Sequence, residues 1–378
     1  MNTDVRKATF FVSMSKLIAQ TMLFFWGIYY TQIGLTGLEQ GILFAIFPLV
    51  SILSAIPVGL LNDRISSRRL AMLGYTLNGL NLWLISLVGG NFWALLIIIA
   101  MGSFGVTLSN LSIDSIFYKT GDKNQNKQIG NYVGSYLFAA GFGVFIGGFI
   151  LDSISIELWL QITGTFTFGV AALTAILPKT ETFKFEFKEY RKDIFKLPVF
   201  LFISMIFIWA IHMGAEITSY GLLLREDFGL SYRQMGAYMG TAIMAMLLWA
   251  KLAIYLIEKK WPILHILYSG LILSAIGHLL MIIPRIDISL IGRFIHEAGD
   301  AFMLIFLYYG VRSLFPSKRS GGIAGLVNFI QMSAIATGAL MFAPIGQTFG
   351  NMYPFLIGTG LCIIALVLAI RFSSLIKH

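Results

Sequence analysis
A chain of 378 residues with 57% hydrophobic and only 12% charged residues is too poor in charge for a soluble domain, where about 25% is usual. The net charge of +9 is not gathered into a nucleic-acid-binding patch, because the basic residues recur in short clusters between apolar runs. A single cysteine, Cys362, excludes a disulfide framework and a cysteine-based metal site, so neither metal nor cofactor is expected.

In chain order, polar breaks separate twelve apolar spans, each near the length of about 20 residues that a bilayer requires. They lie at roughly 9–33, 38–61, 70–89, 91–117, 129–151, 158–177, 198–224, 232–257, 263–283, 289–314, 321–345 and 353–375. The first follows "MNTDVRKATFFV" and begins like a secretion signal. It runs on to about Ile33 without a small-residue cleavage site, so it is expected to remain as a membrane helix. The longest polar interruption, Pro178 to Pro198, divides the spans six and six. The predicted architecture is an all-α membrane protein with bundles at 1–177 and 198–378 and a cytoplasmic linker at 178–197.

Placing the N-terminus in the cytoplasm puts 23 of the 27 Lys and Arg on that side, six of them in the central linker. Only Arg225, Arg233, Arg285 and Arg293 are left outside, and this bias predicts both termini in the cytoplasm. A bacterial inner membrane is the expected location.

The sequence also repeats. "GLTGLEQG" from Gly34 matches "GLSYRQMG" from Gly229 at Gly34/Gly229, Leu35/Leu230, Thr36/Ser231, Glu39/Gln234 and Gly41/Gly236. The same offset of 195 pairs Asp63-Arg64 with Glu258-Lys259, Gly130 with Gly325 and Gly143 with Gly338. An offset sustained over six spans predicts two parallel repeats, a transporter design with its solute site near the midplane.

Between spans 2 and 3 lies "GLLNDRISSRR", Gly59 to Arg69. It resembles the G-x-L-x-D-R-x-G-R-R signature of the major facilitator superfamily, matching at Gly59, Leu61, Asp63, Arg64 and Arg68 and departing at Ser66 and Ser67. The resemblance covers the whole chain and implies twelve helices, a functional monomer and a gate built on this loop. In that gate Gly59 lets helices approach, and Asp63 faces the N-terminus of span 11 at "SGGIAG" from Ser320. Asp114, at the inner end of span 4, would hold Arg68 or Arg69. Two drug-antiporter signatures of the family are incomplete: "AAGFGVFIGG" has Val144 in place of a proline, and Ile98 stands near the usual arginine of span 4. Its glycines read as close helix packing.

Span 10 carries Arg293, His296, Glu297 and Asp300 within one helical arc of about 100°. Arg293 and Glu297 are four apart, as are His296 and Asp300, so each pair can meet. Span 7 carries His212 and Glu216 at the same spacing. A charge at the bilayer centre costs at least about 2.5–3.5 kcal/mol, so these groups should face a solvated cavity. The resemblance implies that spans 1, 4, 7 and 10 surround that cavity. At the offset of 195, Gly102 and Gly105 stand opposite Glu297 and Asp300, and Leu17 and Thr21 opposite His212 and Glu216. The chemistry is placed in one half.

An acid beside a His or Arg in such a cavity can exchange its proton near neutral pH. The expected proton-coupling residues are Asp300, Glu297, His296, Glu216 and His212. The expected solute contacts are Glu216, Arg293, Asn110, Thr107, Gln20 and Lys16. His278, in span 9, reads as a packing residue, and Trp26, Tyr29 and Tyr30 as packing or the outer mouth. No H-E-x-x-H or G-x-S-x-G motif suggests an enzyme. The expected partners are a small organic solute, protons and membrane lipids. The alternative within the fold is a lipid or amphiphile translocator or a drug efflux pump.

Overall fold
A computed structural model describes residues 3–120, 125–179, 197–314 and 320–376, and among them all regular structure is helical. The helices are α1 (Thr3–Gln20), α2 (Trp26–Gln32), α3 (Gly37–Arg64), α4 (Ser67–Val88), α5 (Phe92–Thr120), α6 (Gln125–Leu151) and α7 (Ile156–Leu173). They continue as α8 (Leu197–Ala215), α9 (Tyr232–Glu258), α10 (Ile263–Met281), α11 (Ile286–Leu314), α12 (Ser320–Phe349) and α13 (Tyr353–Ile376). Most of the central linker lies outside the described residues.

Ten helices among the described residues are long and apolar enough to cross a membrane. The other two predicted spans depart from that rule for different reasons. Span 1 is interrupted between α1 and α2 at 21–25, where Thr21 N bonds Leu17 O and Ile18 O at 3.3 Å and Phe25 N bonds Met22 O at 2.9 Å. Span 10 is the single helix α11, and its charges set it apart. Among the described residues the twelve spans thus appear as thirteen α-helices.

The residues group into two compact units, one comprising 1–186 with 230–241 and the other 187–229 with 242–378. In the first unit, glycines on α6 meet the end of α1: a Cβ at Gly143 would lie 2.5 Å from Leu17 O, and one at Gly147 2.1 Å from Thr21 O. The first ten residues of α9 belong to this unit and meet α6 where Gly148 faces Gly236. Packing this close needs glycine, as the helical pattern "AAGFGVFIGG" anticipates.

The repeat is visible as matched local geometry. Gly34 and Gly229 both adopt positive φ, 83° and 68°, and the following Leu35 and Leu230 are both buried. Thr36 then starts α3 with a capping box, accepting from Glu39 N at 3.3 Å while its own N–H donates to Glu39 Oε2 at 2.8 Å. Ser231 does the same before α9, accepting from Gln234 N at 3.2 Å and donating to Gln234 Oε1 at 2.8 Å. The residues that match in sequence are those that turn the chain and satisfy the first free amides of a helix.

Candidate functional site
The second unit contains a buried network of charged and imidazole side chains from α8, α10 and α11. Glycine contacts assemble it. On α10 a Cβ at Gly277 would lie 2.5 Å from His296 Cβ, and on α11 a Cβ at Gly299 would lie 2.5 Å from Ser274 N. Gly292 and Gly270 extend the same close crossing. Backbones this near bring Ser274 and His278 of α10 against His296 and Asp300 of α11.

From the other side comes α8, which passes directly into π-helical turns at Glu216–Tyr220 and Leu223–Asp227. Such turns widen the backbone and recur at functional sites. Glu216 opens the first of them. It meets Arg293 Nη1 at 3.0 Å through Oε1 and accepts from Arg293 Nη2 at 3.3 Å through Oε2. The same carboxylate touches His296 Nε2. Arg293 also pairs with Glu297 at 2.6 Å and lies over the Tyr220 ring, 5.0 Å from its centroid. Although one of the largest fully buried side chains, Arg293 is thereby matched by two carboxylates.

Asp300 accepts from Ser274 Oγ at 2.8 Å and lies 3.5 Å from His296 Nε2 and 3.6 Å from His212 Nε2. The expected helical pairs Arg293–Glu297 and His296–Asp300 are therefore made. His212 turns its Nδ1 back to the Trp209 carbonyl and sets its Nε2 3.6 Å from Asp300 of α11.

Two participants were not read as such from the sequence. His278 stacks on His296 with ring centroids 4.4 Å apart and meets His212 edge-on at 4.9 Å. Ser274 holds Asp300. A signal was present: Gly270, Ser274 and His278 follow at spacings of four, so His278 continues the small-residue stripe that packs on α11.

In the first unit the expected residues are more dispersed. Thr107 bonds Ser51 at 2.9 Å and also donates to Ser103 O, while Asn110 accepts from Ser15 Oγ at 2.8 Å. Lys16 is half-buried with its ammonium 5.6 Å from the Tyr136 ring centroid. Gln20 packs beneath Gly143. Trp26, Tyr29 and Tyr30 pack on one another, with Trp26 stacked on Tyr30 at 5.7 Å.

The gate expectation needs correction at Asp114. Asp114 forms no ion pair with Arg68 or Arg69; it accepts from Tyr132 Oη at 2.6 Å, and Arg68 Nη1 reaches Ala175 O at 3.2 Å. Ser67, which replaces the signature's arginine, donates to Ser115 at 3.3 Å, so a short serine contact stands where a charged one was expected. Among the described residues, nothing lies within 4 Å of a Cβ built at Gly59. Arg64 ends α3 and is exposed. The side chains of Asp63 and of "SGGIAG" lie outside the described residues, and the bracing contact with them.

Comparison with known proteins agrees with the architecture. The profile of the Major Facilitator Superfamily matches residues 8–339. An uncharacterized MFS-type transporter of Methanocaldococcus jannaschii is 24% identical over 354 residues, covering 87% of this chain and 88% of that protein. A bacterial homolog of the human lysosomal transporter Spinster, in an inward-facing occupied conformation, is similar with a TM-score of 0.81 at 11% identity, covering 98% and 96% of the two chains. A POT family transporter in complex with 5-aminolevulinic acid gives 0.77 at 15% identity over 98% and 96%. The nucleoside transporter NupG gives 0.72 at 14% over both chains in full. At these identities the structures bear on fold alone.

Proposed function
Because the chain belongs to the Major Facilitator Superfamily, and so is a membrane transporter and not an enzyme, we propose that it moves a small organic solute by alternating access coupled to protons. The observation that carries this reading is the buried network of the second unit. With Glu216, Glu297 and Asp300 ionised, Arg293 cationic and the imidazoles neutral, the network would hold a net charge of −2 in a site with almost no solvent. Removing that much charge from water is costly unless it is compensated, so such a network takes up protons and can release them.

Asp300 is the proposed carrier, with His296 and His212 beside it and Ser274 holding its other oxygen. Glu297 and Glu216 share the remaining load with Arg293. Glu216 and Arg293 are also the proposed solute contacts of this unit, as Lys16, Gln20, Thr107 and Asn110 are of the first. The loop residues Gly59, Asp63, Arg64 and Arg68 are proposed to gate, with Asp114 now a strut bonded to Tyr132. Membership of a transporter family supports a small-molecule solute. The distribution of Lys and Arg supports cytoplasmic termini in a bacterial inner membrane, and a single chain carries both proposed sets of contacts.

The test is solute and proton flux in proteoliposomes. Asp300→Asn is expected to lose gradient-driven accumulation while retaining solute binding, and Glu216→Gln to shift apparent affinity more than coupling. Unchanged proton-driven accumulation in Asp300→Asn would remove it as carrier. For orientation, a cysteine at Gly37 should react with an impermeant thiol reagent in intact cells and one at Asn124 should not; the opposite pattern reverses the topology.

A further inference from the structure
The proton reading makes no use of His278, and His278 is the least explained group in the network. It is fully buried, and neither ring nitrogen has a hydrogen-bond partner. An imidazole costs free energy when sealed from water with both nitrogens unsatisfied, and a native interior rarely leaves one so. Gly358 leaves room for the ring: a Cβ there would lie 3.1 Å from His278 Nδ1. The nitrogens do have neighbours of one chemical kind. One ligand atom each from His212, Glu216, His278 and His296 lie within 4.8 Å of one another.

The orientations of the other two histidines follow a pattern. His212 Nδ1 abuts the Trp209 carbonyl and His296 Nδ1 faces the Ser274 carbonyl at 3.4 Å. A carbonyl only accepts, so both rings carry a proton at Nδ1 and aim Nε2 inward. That is how metal-binding histidines are held, with one nitrogen fixed by a backbone acceptor and the other presented as a lone pair. Neither inward nitrogen has a hydrogen bond of good geometry: His212 Nε2 lies 3.6 Å from Asp300, and His296 Nε2 touches Glu216 Oε1, which also meets Arg293 Nη1 at 3.0 Å. When His296 Nε2 is unprotonated its lone pair faces a carboxylate oxygen, a contact that a cation held by both atoms turns into two ligand bonds.

We propose that His212, Glu216, His278 and His296 form a binding site for a divalent transition-metal ion of the zinc class. Three imidazoles and one carboxylate suit such an ion, with metal–nitrogen distances of about 2.0–2.1 Å. A tetrahedron of that size sets its ligand atoms about 3.3 Å apart, so a contraction of roughly an ångström or more from the widest present separation closes the shell. Charge agrees as well: with the three carboxylates ionised and the imidazoles neutral, one divalent cation balances the net −2 that remains beside Arg293. Arg293 shares Glu216 without excluding the metal, since a carboxylate has about four lone-pair sites. Asp300, held by Ser274 and close to two of the imidazoles, stands as the charged outer neighbour.

The inference goes beyond the proton reading, and the two are separated by experiment. The purified chain, stripped with a chelator, is titrated with Zn²⁺, and its Co²⁺ and Zn²⁺ forms are examined by optical and X-ray absorption spectroscopy. The expected result is one ion per chain, about three imidazole nitrogens in the first shell, and affinity reduced at least tenfold in His278→Gln and in His296→Gln. The wild-type spectra decide the matter even if a variant does not fold. Absence of stoichiometric binding, a shell without imidazoles, or an affinity unchanged in folded His278→Gln overturns the proposal. Proton flux is measured separately in chelator-treated buffer. No Zn²⁺ binding with coupling lost in Asp300→Asn sinks the metal site alone, whereas Zn²⁺ bound with coupling retained in Asp300→Asn sinks the proton carrier alone.

Discussion
Helices α5 and α11 occupy corresponding places in the repeat, yet one is closed by glycine where the other carries acids. Gly102 corresponds to Glu297 and Gly105 to Asp300 at the offset of 195. In the first unit these glycines admit α4: a Cβ at Gly102 would lie 2.2 Å from Asn81 Cγ, and one at Gly105 2.8 Å from Gly74 O. In the second unit the α10–α11 crossing is equally close but uses Gly270, Gly277, Gly292 and Gly299. Moving the glycines along the crossing leaves 297 and 300 free to carry Glu and Asp. The same helix pair can therefore serve packing or chemistry, and the positions of its small residues decide which.

If this contrast is right, the largest effect comes from unbalancing the charged side. Arg293→Met leaves Glu216 and Glu297 buried without their cation and is expected to cost about 3–5 kcal/mol of stability. Adding Glu216→Gln and Glu297→Gln to it should recover most of that loss, because neutral amides no longer need compensation. Thermal melts in detergent read both. A triple variant as unstable as the single one would mean that Arg293 acts by packing on Tyr220 and not by charge.

A smaller loss is expected on the glycine side. Gly105→Leu places a Cβ 2.7 Å from Leu77 Cβ and 2.8 Å from a backbone oxygen, so α4 must shift, at a cost of about 1–3 kcal/mol. A melt unchanged from wild type would show that the α4–α5 crossing is looser than described.

The smallest effect should be the same in both units. Thr36→Ala and Ser231→Ala each remove one half of a capping box, with an expected cost of about 0.5–2 kcal/mol. Urea or thermal unfolding that separates the two by more than that range would show that the matched caps are not equivalent in strength.

Much of this was legible in the residues. Apolar run length and the basic clusters marked the spans, and the spacing of four on α11 anticipated the Arg293–Glu297 and His296–Asp300 contacts. The repeat read at Gly34 and Gly229 reappears as two positive-φ glycines and two capping boxes. One contact was misread and two features were not foreseen. Span 1 is broken, although its run of apolar residues has no Pro to mark the break. Asp114 turned to Tyr132, since a serine replaced the expected arginine and the nearest donor became a phenol on α6. His278 was read as packing, and nothing on its own helix marks the two histidine rings it packs against.

What the sequence by itself determined is the short-range part: helix lengths, caps, side-chain faces and the charge bias, all set by residues within a few positions of one another. Only the tertiary structure decided which faces meet. His212, Glu216, His278 and His296 come from parts of the chain up to 84 positions apart, the difference between 212 and 296. Their convergence depends on glycines that let α10 and α11 touch and on a π-helical turn that opens at Glu216. Periodicity along one helix carries no information about the partner across the crossing, so the site becomes visible only when the backbones are brought together.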